Sequence, residues 1–385
     1  MGAERVAIVG CGQTRHQATR GDVSIAGLVR EAAMRALEDA GMGWDDIDAI
    51  VIGKAPDFFE GLMMPELYLA EALGAVGKPI LRVHTAGSVG GSTAIVASTL
   101  VSSGIHQRVL TVAFEKQSES EAMWALSLPI PFSQKLVAGA GGFFAPHIRA
   151  YMRRSGAPDD TGILVALKDR LNACKNPFAH LHQPHITYDS IKESMMLWDP
   201  IRYDETCPSS DGAFAMVLAD EKTGDASPNP AWILGTSMRS EATMAAGRDT
   251  VNPQASRDCA ADLYAQVGIT DPRKEIDVAE IYVPFSWYEP MWLESLGFAE
   301  DGEGWKLTES GATALDGDIP WNASGGVLST NPIGASGMIR FGEAAMQVRG
   351  MCGDHQVDGA RTAMGHAYGG GAQFFAMWIV GSQKP

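Results

Sequence analysis

Twice along this chain an apolar, β-branched run leads into a glycine-rich turn that opens a helix of small residues. The first copy passes from residues 79–83 through HTAGSVGG into a helix at 92–103. The second passes through NASGGVLSTNPIGASG into a helix at 338–349. A helix built from Ala, Ser, Thr and Gly has no bulky stripe, so it suits a crowded centre where backbones approach closely. The duplication predicts two similar α/β halves packed face to face around these helices.

The flanking pattern agrees. Residues 5–10 (RVAIVG) and 47–53 (IDAIVIG) are apolar runs closed by glycine and read as buried strands. Between them Ser24 caps a helix in which Ile25, Leu28, Val29, Ala32, Ala33 and Leu37 recur at helical spacing, and Gly41 stops it. Residues 108–114 read as a further strand, and the alternation predicts parallel pairing with right-handed crossovers. From about 115 to 205 the pattern breaks into clustered Pro, Gly, Met and aromatic residues, with helical pieces at 147–154 and 162–173. This insertion is expected to fold over one end of the sheet and shape a pocket. Strand character returns at 212–218, and the stretch EKTGDASPNP (221–230) reads as a linker. A second α/β pattern follows, with helices at 258–267 and 287–296 and strands at 278–283, 361–367 and 373–380. The expected domains are residues 1–225, carrying the insertion, and residues 226–385.

Charge and cysteine usage narrow the function class. The 46 Asp+Glu against 30 Lys+Arg give a net charge of −16, which argues against nucleic acid as a partner, since a phosphate backbone needs a basic face. No apolar run approaches the roughly 20 residues of a membrane span. The start MGAERVAIVGCGQ lacks the basic-then-apolar order of a secretory signal, so a cytoplasmic location is expected. The five cysteines, odd in number and never in a CxxC pair, fit reduced thiols rather than a disulfide framework or a zinc site.

Several motifs could carry chemistry. The turn at 84–91 opens a helix, where unpaired N–H groups favour an anion or a developing oxyanion. Within it Ala86-Gly87-Ser88-Val89-Gly90 narrowly misses the G-x-S-x-G nucleophile elbow, with alanine in place of the first glycine. The second half of the chain does not fit a hydrolase of that kind. His180, His182 and His185 in AHLHQPH form a tract that could hold a metal, but interleaved Pro and the lack of nearby carboxylates or cysteines favour solvated loop histidines. No metal site is expected. Cys207 in TCPSSDGA reads as a small buried thiol, and Trp287, Tyr288, Trp292 and Phe298 as core and pocket wall.

Taken together, VAIVGCGQTRH, REAAMRALEDAGMGWDDIDAIVIG, YMRRSG, NPFAHLHQPHIT, DPIRYDETCPSSDGAFAMVLAD, AEIYVPFSWYEPMWLESLGF, NASGGVLSTNPIGASG and GHAYGGGAQFF resemble the thiolase superfamily, in its sterol-carrier and lipid-transfer-protein branch. The resemblance covers nearly the whole chain. It implies an α/β thiolase fold of two similar halves in a five-layered αβαβα arrangement, a homodimer, and acyl-coenzyme A thioesters as substrates, with coenzyme A as part of the substrate and no other cofactor.

The chemical positions depart from the usual family pattern. The nucleophilic cysteine that opens the family's central helix falls on Gly87 or Ser88, and the histidine of its GHPxGA motif becomes Asn331 in TNPIGA. The Asn or His heading its NEAF or HDCF motif becomes Tyr282 in YVPF, and its second cysteine falls on Ala367 or Tyr368. Thiolase cleavage needs a thiolate and a base that keeps it ionised. Cysteine-less relatives of the lipid-transfer branch instead cleave a carbon–carbon bond by a retro-aldol reaction on steroid side chains carried by coenzyme A. They typically work with a small OB-fold, zinc-ribbon partner subunit.

By that resemblance Tyr282 is the expected base, with Tyr368 and His366 next. Asn331 and backbone N–H groups near Ser88 or Gly325–Gly326 are the expected enolate donors. His84, Gly87, Ser329 and Tyr288 are expected to line the substrate site. Acyl transfer through Ser88, or a non-catalytic scaffold supporting another subunit, are the alternative readings.

Overall fold

The computed structural model describes residues 4–55, 61–120, 139–242 and 247–385. The strands are β1 (Val6–Gln13), β2 (Ala49–Lys54), β3 (Ile80–Val83), β4 (Arg108–Lys116), β5 (Met196–Trp198), β6 (Ile201–Arg202), β7 (Asp211–Asp220), β8 (Ala231–Ser240), β9 (Val278–Glu280), β10 (Thr362–Gly369) and β11 (Phe374–Gly381). Nine of them form one sheet in the order β3-β2-β4-β7-β1-β8-β11-β10-β9, and β5 and β6 pair separately. The two halves meet at a narrow joint, where β1 and β8 share only the pairs Ala7–Trp232 and Ile8–Ala231.

Only part of the sheet is parallel. β2 pairs in parallel with both β3 and β4, and β9 pairs in parallel with β10. β7 lies antiparallel between β4 and β1, and β11 lies antiparallel between β8 and β10. The chain dictates this. The long segment after β4 brings β7 back from the far end of the sheet. The short link from Gly369 to Phe374 leaves no room for a crossover.

The two small-residue helices, Val89–Ser102 and Ile333–Val348, pack on each other between the two halves of the sheet, and both touch strands of each half. Helix Ile25–Ala40 covers the outer face of β1 and β7, and helix Gln254–Val267 the outer face of β8 and β11, which completes five layers. Ser24 caps the first of these outer helices and Gly41 ends it in the left-handed region, as the sequence predicts. Glycine is required where the central helices cross. A Cβ on Gly90 would lie 2.4 Å from the Met338 nitrogen, and one on Gly337 2.8 Å from the Gly91 nitrogen. The two backbones touch there because neither carries a side chain.

Two local expectations change. The stretch read as a linker begins as a helix, Glu221–Ala226, because the Asp220 side chain accepts from the Thr223 N–H at 2.9 Å and caps it. The strand expected over 278–283 leaves the ladder after Glu280. From there side chains take over: Ile281 N–H donates to Asn322 Oδ1 at 2.8 Å and Tyr282 N–H to His366 Nδ1 at 3.3 Å. The insertion contributes helices Gly139–Ser155 and Thr161–Ala173. Its stretch 121–138 lies outside the described residues.

Candidate active site

Three segments converge at the end of the central helices. The YVPF segment leaves β9, the HAYG segment ends β10, and Asn331 stands just before helix Ile333–Val348. Tyr282 and Tyr368 meet edge to face, with ring centroids 5.3 Å apart at 89°. Tyr288 stacks on Tyr368 at 5.7 Å, and Trp292 closes the cluster at 5.3 Å from Tyr368. The insertion adds Phe144, 5.4 Å from Tyr288 and 6.2 Å from Tyr368. Trp292 Nε1 donates to the Tyr282 carbonyl at 3.0 Å, which fixes the YVPF backbone against the cluster. Trp287 and Phe298 take no part: Trp287 lies beside Gly162, and Phe298 packs on Trp321.

Burial sets the protonation states. It pushes the Tyr282 phenol above its ordinary range; the Cys207 thiol adds to this, while the Ser336 hydroxyl beside it works the other way. Burial likewise raises Tyr368 and Tyr288. Both Tyr282 and Tyr368 are therefore neutral phenols near pH 7. Burial drives His366 down to about 3, so its ring is neutral as well. Its Nδ1 accepts from Tyr282 N–H, so the ring's proton sits on Nε2, which has no hydrogen-bond partner among the described residues. The Tyr288 hydroxyl is also without one. Two orphaned polar groups inside one apolar cluster mark a place that a substrate's polar atoms can complete.

Asn331 is held from every side but one. Its N–H donates to Ser210 Oγ at 3.1 Å, its Oδ1 accepts from Ser336 Oγ at 2.7 Å, and its Nδ2 donates to Cys207 Sγ at 3.1 Å. An amide nitrogen carries two donors, so one remains for an incoming oxygen. His180 supports this arrangement through Ser210 Oγ at 2.8 Å, and His182 bonds the Asn176 carbonyl at 2.8 Å. His180 is thus half-buried and tied into the site, whereas His182 and His185 stay exposed on the loop as expected.

Ser88 lies beneath the tyrosines, because its turn abuts β10: a Cβ on Gly87 would come 3.1 Å from the Tyr368 carbonyl. Its hydroxyl donates to the Thr85 carbonyl at 2.7 Å, facing the turn and not a base. Several N–H groups expected as donors already have partners. Ser88 N–H donates to Thr85 O at 3.2 Å, Gly325 N–H to Asn322 O at 2.9 Å and Gly326 N–H to Ser324 Oγ at 3.3 Å. Gly325 packs on Ala173 and Ser329 Oγ donates to the Asp169 carbonyl at 3.2 Å, so both face helix Thr161–Ala173. His84 is exposed.

Cys207 is the residue the sequence reading undervalued. Its N–H donates to the Pro284 carbonyl at 2.9 Å, so the TCPSS segment runs beside YVPF and delivers the thiol to Asn331. It is half-buried, and burial lifts it to about 12 against the pull of the Arg170 charge and the Asn331 bond, which keeps it protonated. No local pattern in TCPSSDGA reveals this position. Ser336, in GASG, was equally silent.

Residues 236–382 match the thiolase C-terminal domain-like family. The chain is similar to the acetyl-CoA acetyltransferase of Methanothermobacter thermautotrophicus, 29% identical over 95% of this chain and 96% of that one. It is also similar to human sterol carrier protein 2, 28% identical over 98% of this chain and 72% of the relative. Among solved structures, an aldolase named Ltp2-ChsH2(DUF35) superposes with a TM-score of 0.83 at 26% identity, covering 100% of this chain and 99% of that one. Human mitochondrial 3-ketoacyl-CoA thiolase, at 16% identity, shares the fold with a TM-score of 0.74 over 99% of both chains.

Proposed function

Since this chain is a thiolase-superfamily protein of the sterol-carrier and lipid-transfer type, we propose that it cleaves a carbon–carbon bond of a β-hydroxyacyl-CoA by a retro-aldol reaction, with a steroid-like side chain as the acyl group. The observation that carries this reading is the pair of neutral phenols, Tyr282 and Tyr368, in contact beside the Asn331 amide where a thiolase would place sulfur and imidazole. The aldolase named among its structural relatives supports the same chemistry.

In this reaction the O–H bond at the β-carbon breaks, its electrons form a carbonyl, and the Cα–Cβ bond breaks to leave an enolate on the thioester. The free N–H of Asn331 and a phenol O–H stabilise the enolate oxygen. Tyr282 accepts the hydroxyl proton as a phenol proton moves toward the enolate, so no phenolate need accumulate in an apolar site. The products are a ketone or aldehyde and a shortened acyl-CoA, with no atom left on the protein. The test is incubation with β-hydroxyacyl-CoA thioesters, reading carbonyl and acyl-CoA products in equal amounts. The mass of the intact protein should be unchanged after exposure.

The second reading is acyl transfer, favoured by the acetyltransferase named among the relatives and by the thiol of Cys207 at the site. An acyl adduct on Cys207 or Ser88 in the same mass spectrum would establish it in place of the first.

Two partners belong to the proposal. A DUF35-type subunit is suggested by the name of the aldolase complex. A second copy of this chain is suggested by β3, whose one ladder partner among the described residues is β2, and by the apolar side chains Met63, Leu67, Tyr68 and Leu81 exposed nearby. The double change Leu67→Asp with Leu81→Lys is expected to shift sedimentation from dimer to monomer; an unchanged dimer would place the interface elsewhere. No helix among the described residues is long and apolar enough to cross a membrane.

A further inference from the structure

A buried cluster of three metal-ligand types lies apart from the tyrosines. Glu343 is on the central helix Ile333–Val348. Cys352 and His355 are on the turn that follows, where the C-G-D-H spacing turns both side chains inward. One donor atom from each residue lies within 4.8 Å of the others. Glu343 Oε2 is 3.1 Å from His355 Nε2 and 3.9 Å from Cys352 Sγ. Around a tetrahedral ion with bonds of 2.0–2.3 Å, ligand atoms stand about 3.3–3.8 Å apart. The two spacings from Glu343 bracket that range, and Cys352 and His355 lie within 4.8 Å of each other.

The surroundings are those of a held site. Exposure is 0% for Glu343 and 2% for Cys352 and His355. Gln13 Nε2 donates to the other Glu343 oxygen at 2.9 Å, fixing the carboxylate as an outer partner would. Met351, Gly353 and Asp354 on the same turn are exposed, so the ligands lie just beneath the surface.

We infer that Glu343, Cys352 and His355 form a binding site for a zinc-class divalent cation, separate from the proposed active site. A thiol, an imidazole and one carboxylate match zinc or cobalt better than the all-oxygen sets of magnesium or calcium. A bound dication displaces the Cys352 S–H proton and takes the His355 Nε2 lone pair, leaving a carboxylate, a thiolate and a neutral imidazole as ligands, with protons released and no electron moved.

The test uses the untagged full-length chain, stripped with chelator and titrated with Co²⁺. The expected result is one ion per chain, a near-ultraviolet thiolate-to-cobalt band, displacement by Zn²⁺ and proton release into weakly buffered solution. Cys352→Ser should abolish the band, and His355→Gln should weaken binding by at least about tenfold, each with an unchanged circular dichroism spectrum. If a variant fails to fold, the titration of the parent protein decides alone. A parent protein with no thiolate band, or a band that survives in Cys352→Ser, overturns the inference. None of these readouts depends on turnover.

Discussion

Replacing Tyr282 with Phe is expected to lower retro-aldol turnover by about 10²–10⁴-fold, the range over which a positioned proton-transfer group contributes. Tyr368→Phe should do the same. Both changes leave the rings in place, so the edge-to-face contact at 5.3 Å and the stack on Tyr288 survive and the protein stays folded. If the phenols act as one relay, Tyr282→Phe with Tyr368→Phe will cost little more than either change alone. The pH profile adds an independent check. Burial raises both phenols, so a mechanism that needs preformed phenolate would speed up about tenfold per pH unit through neutrality. A relay through neutral phenols predicts a flat profile between pH 6 and about 9. Turnover that persists in Tyr282→Phe would remove Tyr282 from the chemistry and, with a cysteine adduct, favour acyl transfer.

The second large effect concerns stability. Arg340 on the central helix and Glu280 at the end of β9 form a buried ion pair, with exposures of 1% and 0%. Ser324 completes the pair: its N–H donates to Glu280 Oε1 at 2.9 Å and its hydroxyl to Oε2 at 2.8 Å. Arg340→Met should cost about 3–5 kcal/mol, because it leaves a carboxylate buried without its cation. Urea denaturation would read this as a lower midpoint. Adding Glu280→Leu should restore much of the loss, since two apolar groups replace two charges.

The pH dependence of that loss has a fixed sign. Burial already holds Glu280 above the ordinary carboxylate value, outweighing the pull of Arg340. Without Arg340 the folded-state value rises further, so the folded state binds a proton that the unfolded chain releases. The deficit is then fully present at high pH and shrinks as pH falls through the folded value toward the unfolded one. A deficit that grew on acidification would contradict the assignment.

The sequence carried the architecture well because the architecture is periodic. The small-residue runs after HTAGSVGG and around NPIGASG could only be central helices, and the crossing at Gly90 and Gly337 bears this out. Ser24 and Gly41 marked one outer helix to within a residue. Strand direction was less legible. Parallel or antiparallel pairing depends on what the intervening chain can reach, and the insertion before β7 hid that.

At the site, Tyr282, Tyr368, His366 and Asn331 stood in motif-like segments, so their residue types could be read directly. Cys207 could not be, because it owes its place to the pairing of residues 205–207 with residues 284–286, nearly 80 positions along the chain. Nor could the uses of the backbone N–H groups at Ser88, Gly325 and Gly326, which the turns themselves consume.

By itself, then, the order of residues determined the two-half layout, the helices at its centre and the absence of sulfur from the turn at Gly87–Ser88. Local periodicity and side-chain size are properties of a string and need no partner to be read. The tertiary structure alone decided which groups share a site and which of them are ionised. Proximity between distant segments and loss of solvent exist only once the chain has closed on itself, and those two effects hold the tyrosines, His366 and Cys207 neutral.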